Sequence, residues 1–363
     1  VPVYHMIASQ RDVLGCMYTD SVGTARTYRY YATVVYDGVV YDHIKFRIKG
    51  QASTRVTGKN KIKWNFHRGH RFQARDNYGR KYAREWDKFA LQTGTCPWWG
   101  SNASTAGMVL NEQGAYKMYR LLGMPSCNTH LFHLRIVDGP RETLNQYDGD
   151  FWGLYIALEE PDCRFLDEMG MPDGNLYKMN GGATKRNQGT TQATSNADVN
   201  SFISQKNSAS ANSFTWWRRT VNLPRYYDYK IGTTLINNTD LRSEWNCLYY
   251  IRPVVAGDPN SRKWEMYPWD LDLTWESKFH IRSESVWENW QNVFRFSSAE
   301  RDFENRAREV WDLMCSSGEG AKMVEEMKRF LDGDGVTRIV EANQALWDYH
   351  PEKRKKGIWY KNN

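Results

Sequence analysis

The sequence predicts an α+β fold in two lobes, the first rich in β-structure and the second mainly helical. Apolar and polar residues alternate through much of the first 179 positions, the pattern of half-buried strands. A tract of Gly, Asn, Ser, Thr and Gln follows at 180–213 with few apolar anchors. Helical spacing then dominates, most clearly at 298–315 and 320–331. A chain of 363 residues is long enough for one such domain. Its parts read as a first lobe at 1–179, a polar insertion at 180–213, a second lobe at 214–350 and a basic tail at 351–363.

Residues 1–50 read as β. The run Arg29-Tyr30-Tyr31-Ala32-Thr33-Val34-Val35-Tyr36 meets Asp37-Gly38 and continues as a second alternating run from Val39. Two-residue Asp-Gly connections favour the left-handed turn that closes a hairpin. The next strand, 58–66, sets Ile62, Trp64 and Phe66 on one face and Lys59, Lys61, Lys63 and Asn65 on the other. A lysine row of this kind fits either a solvated sheet edge or a cationic face for phosphate. Ala115, Met118, Tyr119 and Leu122 have helical spacing, with Gly123 and Pro125 as stop signals. Residues 130–139 and 151–160 read as paired strands, the second closing at Glu159. His130 and His133 have opposite parity there, which argues against a metal pair and for structural roles. A short helix at 163–170, a turn at Pro172-Asp173-Gly174-Asn175 and a short strand Leu176-Tyr177-Lys178-Met179 follow. The polar tract reads as a long loop, the best candidate for a mobile lid. From 214 on the chain reads as helical, including 222–250. Ser298-Ala299-Glu300 supplies an N-cap signal, and one more helix is expected at 336–348. Lys353-Arg354-Lys355-Lys356 reads as solvated surface.

The formal charge of +7 and pI near 8.9 are mildly basic. They suit an anionic ligand, but the basic residues are dispersed, which argues against a nucleic-acid partner. No apolar run approaches the length of a membrane span. The chain opens Val1-Pro2-Val3 rather than with Met, as it would after loss of an upstream segment. Six scattered cysteines lack zinc-finger spacing and fit either disulfides in an oxidising compartment or buried thiols. Sequons stand at Asn102 and Asn237. Sixteen tryptophans point to a sugar-facing surface or to a core rich in rings.

The stretch around which the chain is organised is Lys263-Trp264-Glu265-Met266-Tyr267-Pro268-Trp269-Asp270-Leu271-Asp272-Leu273-Thr274-Trp275. If it stays extended past Pro268, Asp270 and Asp272 point the same way. Two carboxylates held together among indole rings call for a cation, and a hard ion such as Mg²⁺ or Ca²⁺ is the natural one. The plain alternative is a capped turn with two solvated aspartates.

Several motifs, in order, resemble the spore-coat protein H (CotH) kinase family, an atypical, secreted, protein-kinase-like group. They are Phe46-Arg47-Ile48-Lys49-Gly50-Gln51-Ala52-Ser53, Gly58-Lys59-Asn60-Lys61-Ile62-Lys63, Gly153-Leu154-Tyr155-Ile156-Ala157-Leu158-Glu159, Gly174-Asn175-Leu176-Tyr177-Lys178, Asp240 with Asn246, and Pro268-Trp269-Asp270-Leu271-Asp272. The resemblance covers roughly residues 40–280 and implies an atypical two-lobed kinase-like fold. No Walker A sequence or Gly-x-Gly-x-x-Gly loop is present, so side chains and strands must build the phosphate site.

The resemblance implies ATP- and metal-dependent transfer of phosphate to Ser or Thr of a secreted or cell-surface protein, including the chain itself. Asp240 would accept the hydroxyl proton. Asp270, with Asn246 and Asp272, would hold Mg²⁺, with Mn²⁺ or Ca²⁺ as alternatives. Lys59 or Lys63 would meet the phosphates with Glu159 as ion-pair partner, and Lys178 belongs to the same nucleotide set. Gly181-Gly182 would shape the entrance. One rival is a carbohydrate-active protein using Trp98-Trp99, Trp216-Trp217, Trp269 and Trp275 with a carboxylate pair. Another is a catalytically dead adhesin or binding module on the same fold.

Overall fold

The computed structural model describes residues 1–17, 27–50, 59–93, 108–140, 149–238, 240–241, 244–275, 289–332 and 339–346. They fall into two compact units, one of Val1–Gln113, Asn128–Glu160 and Glu326–Asn363, the other of Gly114–Cys127 and Pro161–Glu325. Gln51-Ala52-Ser53, Gly58, Cys96, Trp98-Trp99, Asn102 and the basic tail lie outside the described residues.

The first unit is built on a closed barrel of β1 (Val3–Ile7), β2 (Tyr30–Tyr36), β3 (Val39–Ile48), β4 (Ile62–Asn65), β5 (Lys88–Gln92), β6 (Thr129–Val137) and β7 (Phe151–Glu159). Its strand order is β1-β2-β3-β4-β5-β7-β6. Neighbours run antiparallel except β1 and β6, whose parallel pairing, Val3 opposite His133, closes the ring. The Asp37-Gly38 hairpin forms as expected, with Tyr36 opposite Val39 and both turn residues left-handed at φ 52° and 73°. Rings fill the interior: Tyr4, Phe46, Trp64, Phe72, Phe89 and Phe132 are all buried there. Tyr4 stacks on Phe132 at 4.3 Å between centroids, a class of contact worth about 1 kcal/mol beyond its burial. A helix, α1 (Gln10–Met17), interrupts the region read as β; Val13, Cys16 and Met17 form its buried stripe.

The second unit is built on an antiparallel sheet of β8 (Asn175–Asn180), β9 (Ala183–Asn187), β10 (Trp245–Ile251) and β11 (Trp264–Pro268), ordered β11-β10-β8-β9. Its helices are the C-terminal part of α2 (Met108–Leu121), α3 (Cys163–Glu168), α4 (Ala197–Lys206), α5 (Phe214–Thr220), α6 (Leu223–Leu235), α7 (Ser297–Trp311) and the start of α8 (Glu319–Asp332). Phe202 stacks on Trp264 at 4.7 Å, with Trp217, Tyr226 and Trp290 also buried in this unit. The end of α8 and α9 (Ile339–Leu346) belong to the first unit.

This architecture corrects the expected two-lobed kinase-like fold, although the α+β mixture stands. The β-rich half is a closed seven-stranded barrel. β8, expected in the first lobe, pairs with β10 in the other unit, and the half expected to be mainly helical supplies β10 and β11. Barrel closure rests on pairing between strands far apart in the chain, which local alternation cannot register. The polar tract 180–213 is likewise not a long loop. It contains β9, α4 and a 3-10 turn at Ala209–Asn212. Hydrogen bonds add to the apolar anchors Val199 and Phe202 of α4: Lys185 Nζ donates to Gln188 Oε1 and to the carbonyls of Ala193, Thr194 and Ser195, all within 2.7–3.1 Å. Asp173 accepts from Asn187 Nδ2 at 2.8 Å and Thr190 Oγ1 at 2.5 Å.

Among the described residues no helix is long and apolar enough to cross a membrane. Among the described residues no disulfide joins Cys16, Cys127, Cys163, Cys247 and Cys315 to one another.

His130 lies inside the barrel with its Nε2 hydrogen-bonded to the Tyr4 hydroxyl at 2.5 Å, and burial pushes its pKa down to about 3. Burial takes His133 to about 4. Both imidazoles stay neutral in the fold while the unfolded chain binds protons below about pH 6.5. Their contribution is therefore complete above that pH and falls as the pH drops toward the folded values. Between pH 7 and pH 5 the His130 share should shrink by about 2 kcal/mol. Urea unfolding at the two pH values measures it. His130→Phe should flatten the dependence, and an unchanged pH slope in that variant would contradict the assignment.

Candidate active site

In the second unit, β10 begins with an irregularity. Its register with β8 shifts between Trp245 and Cys247, and Asn246 between them is left-handed at φ 56°. Asn tolerates that conformation better than most residues. Turned out of the regular ladder, its Nδ2 donates to the Asp240 carbonyl at 2.7 Å. Asp240 N donates to Asn238 Oδ1 at 3.1 Å, and Asn238 N to the Thr233 carbonyl in the last turn of α6 at 3.1 Å. A chain of bonds thus fixes the Asp240 backbone between helix and strand. The residue itself is only half-buried.

β11 arrives beside the same irregularity, with Pro268 opposite Cys247. Trp269 is fully buried, and Lys178 of β8 lies with Nζ 4.7 Å over its ring, a cation–π contact. Asp270 follows, left-handed at φ 60°, so the extended geometry expected to align it with Asp272 does not hold. Both aspartates are half-buried while Trp269, Leu271 and Leu273 are buried. The loop is tied down where Trp275 N donates to the Ile236 carbonyl at 2.6 Å, just past α6. Lys178 of β8, Asn246 of β10 and the loop residues Asp240 and Asp270 are therefore gathered toward one end of one sheet, the two loops being anchored at the end of α6.

Backbone strain gathers there too. Asn237, Glu244, Asn246, Asp270 and Trp275 are all left-handed, a conformation that persists in non-glycine residues only where the surroundings enforce it. Part of the enforcement is a network that sequence reading missed. Glu244 pairs with the buried Lys206 at 2.8 Å and accepts from the Tyr249 hydroxyl at 2.7 Å. Gly181, at φ 72°, donates to the Glu244 carbonyl at 2.9 Å. A Cβ on Gly181 would lie 2.6 Å from the Trp245 ring, so this glycine is required by the packing.

Among the described residues no three His, Cys, Asp or Glu side chains are grouped to hold a metal. A Mg²⁺-like ion binds through one or two carboxylates together with substrate phosphates, and Asp270 and Asn246 are the residues here that could hold one. Asp270 supplies a carboxylate. Asn246, its Nδ2 engaged by a carbonyl, keeps Oδ1 as a hard oxygen ligand.

In the first unit the lysine row is buried: Lys59 is 0%, Lys61 6% and Lys63 7% exposed, which excludes a solvated edge. Lys59 Nζ donates to the carbonyls of Thr93 and Leu154 and to Asn343 Oδ1, and burial lowers its pKa to about 7. Glu159 accepts from Asn128 N at 2.9 Å. Lys63 is held by Glu160 at 2.9 Å, with Lys49 3.9 Å from the same carboxylate. Strand parity carries the signal that could have found Glu160. Trp64 and Tyr155 fill the barrel, so Lys63 and Glu160, of opposite parity to them, share its outer face.

Glu160→Gln removes the carboxylate that two buried ammonium groups share and should cost about 3 kcal/mol. Lys63→Met should cost less, because Lys49 stays beside Glu160. Denaturant titration of both variants tests the order, and equal losses would disprove the shared-carboxylate reading.

A family model described as CotH kinase protein matches residues 101–315, more than half of the chain. The match takes in Glu159, Lys178, Asp240, Asn246, Asp270 and Asp272 and leaves Lys59 and Lys63 outside. No curated protein matches the chain. With that match falling on the strained end of the second sheet, the chain belongs to the CotH kinase family.

Proposed function

We propose that the chain transfers a phosphoryl group from ATP to Ser or Thr hydroxyls of a secreted or cell-surface protein, itself included. The observation that carries this reading is the tie between Asn246 and the Asp240 backbone at the sheet end where Asp270 also emerges. Phosphoryl transfer needs little covalent help; positioned charge and an oriented hydroxyl suffice. The half-buried Asp240 carboxylate receives the proton of the acceptor hydroxyl, on a backbone that cannot drift. Lys178, steadied over the Trp269 ring, presents positive charge to phosphate oxygens. Asp270 and Asn246, joined by Asp272, offer oxygens to Mg²⁺, or to Mn²⁺ or Ca²⁺, which when bound would neutralise phosphate charge. All five residues belong to the second unit.

The carbohydrate reading loses support. Trp216, Trp217 and Trp269 are 7%, 0% and 0% exposed, so their faces are packed against protein and unavailable to a sugar ring; of the tryptophans that reading used, only Trp275 is exposed among the described residues.

Asp240→Asn and Asp270→Asn should each lower ³²P incorporation from ATP at least about 100-fold. Their melting temperatures should stay close to that of the parent, because both residues are only half-buried and the substitution is isosteric. ATP with Mg²⁺ should raise the melting temperature of the parent and not of Asp270→Asn. Full incorporation by both variants would exclude the reading.

A further inference from the structure

Outside the barrel, Leu131, Leu154 and Ile156 of β6 and β7 pack with Leu331 and Ile339 of α8 and α9, joined by Leu110, Phe330 and Val340. This small apolar core is incompletely filled. A cavity of about 180 Å³ remains among Leu110, Leu154, Leu331, Val340 and Asn343, with Lys328 and Asp332 completing its lining. The last two are exposed and mark its solvent side; Leu154 and Leu331 are buried. An apolar cavity of roughly 150 Å³ stays dry and admits benzene. The space here therefore suits one six-membered ring with a short substituent.

Asn343 gives the cavity one polar wall. Its Oδ1 accepts from Lys59 Nζ and from Leu154 N, both at 3.0 Å. Two donors on that atom settle which end of the amide is oxygen. Nδ2 is then a donor with no partner among the described residues, on a side chain only 8% exposed that lines the cavity. That N–H borders the cavity and is available to the oxygen of a ligand seated there. The mouth carries one charge of each sign, on successive turns of α8, so it selects neither anions nor cations.

We infer that this cavity binds a small neutral molecule with one ring and one carbonyl or ether oxygen, the oxygen accepting from Asn343 Nδ2. None of Lys178, Asp240, Asn246 or Asp270 lines it, and its occupancy can be read without any assay of phosphoryl transfer.

The test uses the full chain with acetophenone as probe and ethylbenzene as the matched probe without oxygen, followed by saturation-transfer NMR and calorimetric titration. Acetophenone should bind saturably and about fivefold more tightly than ethylbenzene, the worth of one neutral hydrogen bond. Val340→Phe should fill the space and abolish binding of both. Asn343→Asp keeps an acceptor for Lys59 and Leu154 N but removes the N–H, and should erase the preference for acetophenone. A melting curve on each variant confirms folding. Absence of saturable binding by the parent, or binding unaltered by Val340→Phe, overturns the site. Equal affinity of the parent for both probes overturns the role of Asn343.

Discussion

The side chain of Asn246 commits its amide N–H to the backbone carbonyl of Asp240, and the arrangement of the second unit's candidate site depends on that bond. A regular strand would direct residue 246 onto a face of the sheet. The left-handed φ at this position and the register shift around it send the side chain sideways instead. Asparagine is suited to the position on two grounds. It tolerates the conformation, and it offers a donor to the carbonyl while keeping an acceptor. An aspartate would bring a negative charge against the same carbonyl oxygen. With Asp240 held from one side by Asn246 and from the other by Asn238, the carboxylate is free to be half-exposed without its backbone being mobile.

Buried lysines are handled in three ways, and the differences follow from their partners. Lys206 has a carboxylate, Glu244, and serves to fix the turn into β10. Lys63 shares Glu160 with Lys49 on the barrel's outer face. Lys59 is surrounded by carbonyl and amide oxygens and lies 4.6 Å from the Tyr155 ring. Dipoles and a ring compensate desolvation less fully than a carboxylate does, which is why its pKa falls to about 7. In chemical terms Lys59 fastens α9 to the barrel, because its nitrogen reaches Asn343.

Elements held by short-range periodicity were legible in the sequence. The Asp37-Gly38 hairpin, the β6–β7 pair and the helices containing Met118, Glu300 and Met327 stand close to where spacing put them. Cap detail was not: the helix at Ser297 has Phe296 at its N-cap and no side-chain bond there. Long-range pairing was also invisible, which is why barrel closure and the membership of β8 differ from expectation. The polar tract was misread because its order comes from a few residues outside any long periodic pattern: Lys185 and Asp173 through hydrogen bonds, and Phe202 through its stack on the distant Trp264. At the site, the Asp240–Asn246 spacing and the Pro-Trp-Asp-x-Asp run marked the right neighbourhood. The alignment of Asp270 with Asp272 presumed an extended backbone that φ 60° at Asp270 rules out.

The tryptophan content, which pointed equally to a sugar surface and to a ring-filled core, goes largely to the core among the described residues: Trp64, Trp86, Trp217, Trp269 and Trp290 are buried, while Trp275 and Trp311 are exposed. Trp217 Nε1 donates to the Ala211 carbonyl at 2.9 Å and Trp290 Nε1 to the Tyr249 hydroxyl at 2.9 Å. A ring whose N–H is engaged inside the fold, with both faces packed, is a structural element. These rings stiffen the helices and the sheet that carry the candidate site, and Tyr249 passes the effect on through its bond to Glu244. From there it reaches Lys206 and the turn into β10. Trp269 makes the connection most directly. Buried, and adjacent in sequence to Asp270, it supports the Lys178 ammonium on its face, so one indole sets the position of a cation and the starting point of a carboxylate loop together.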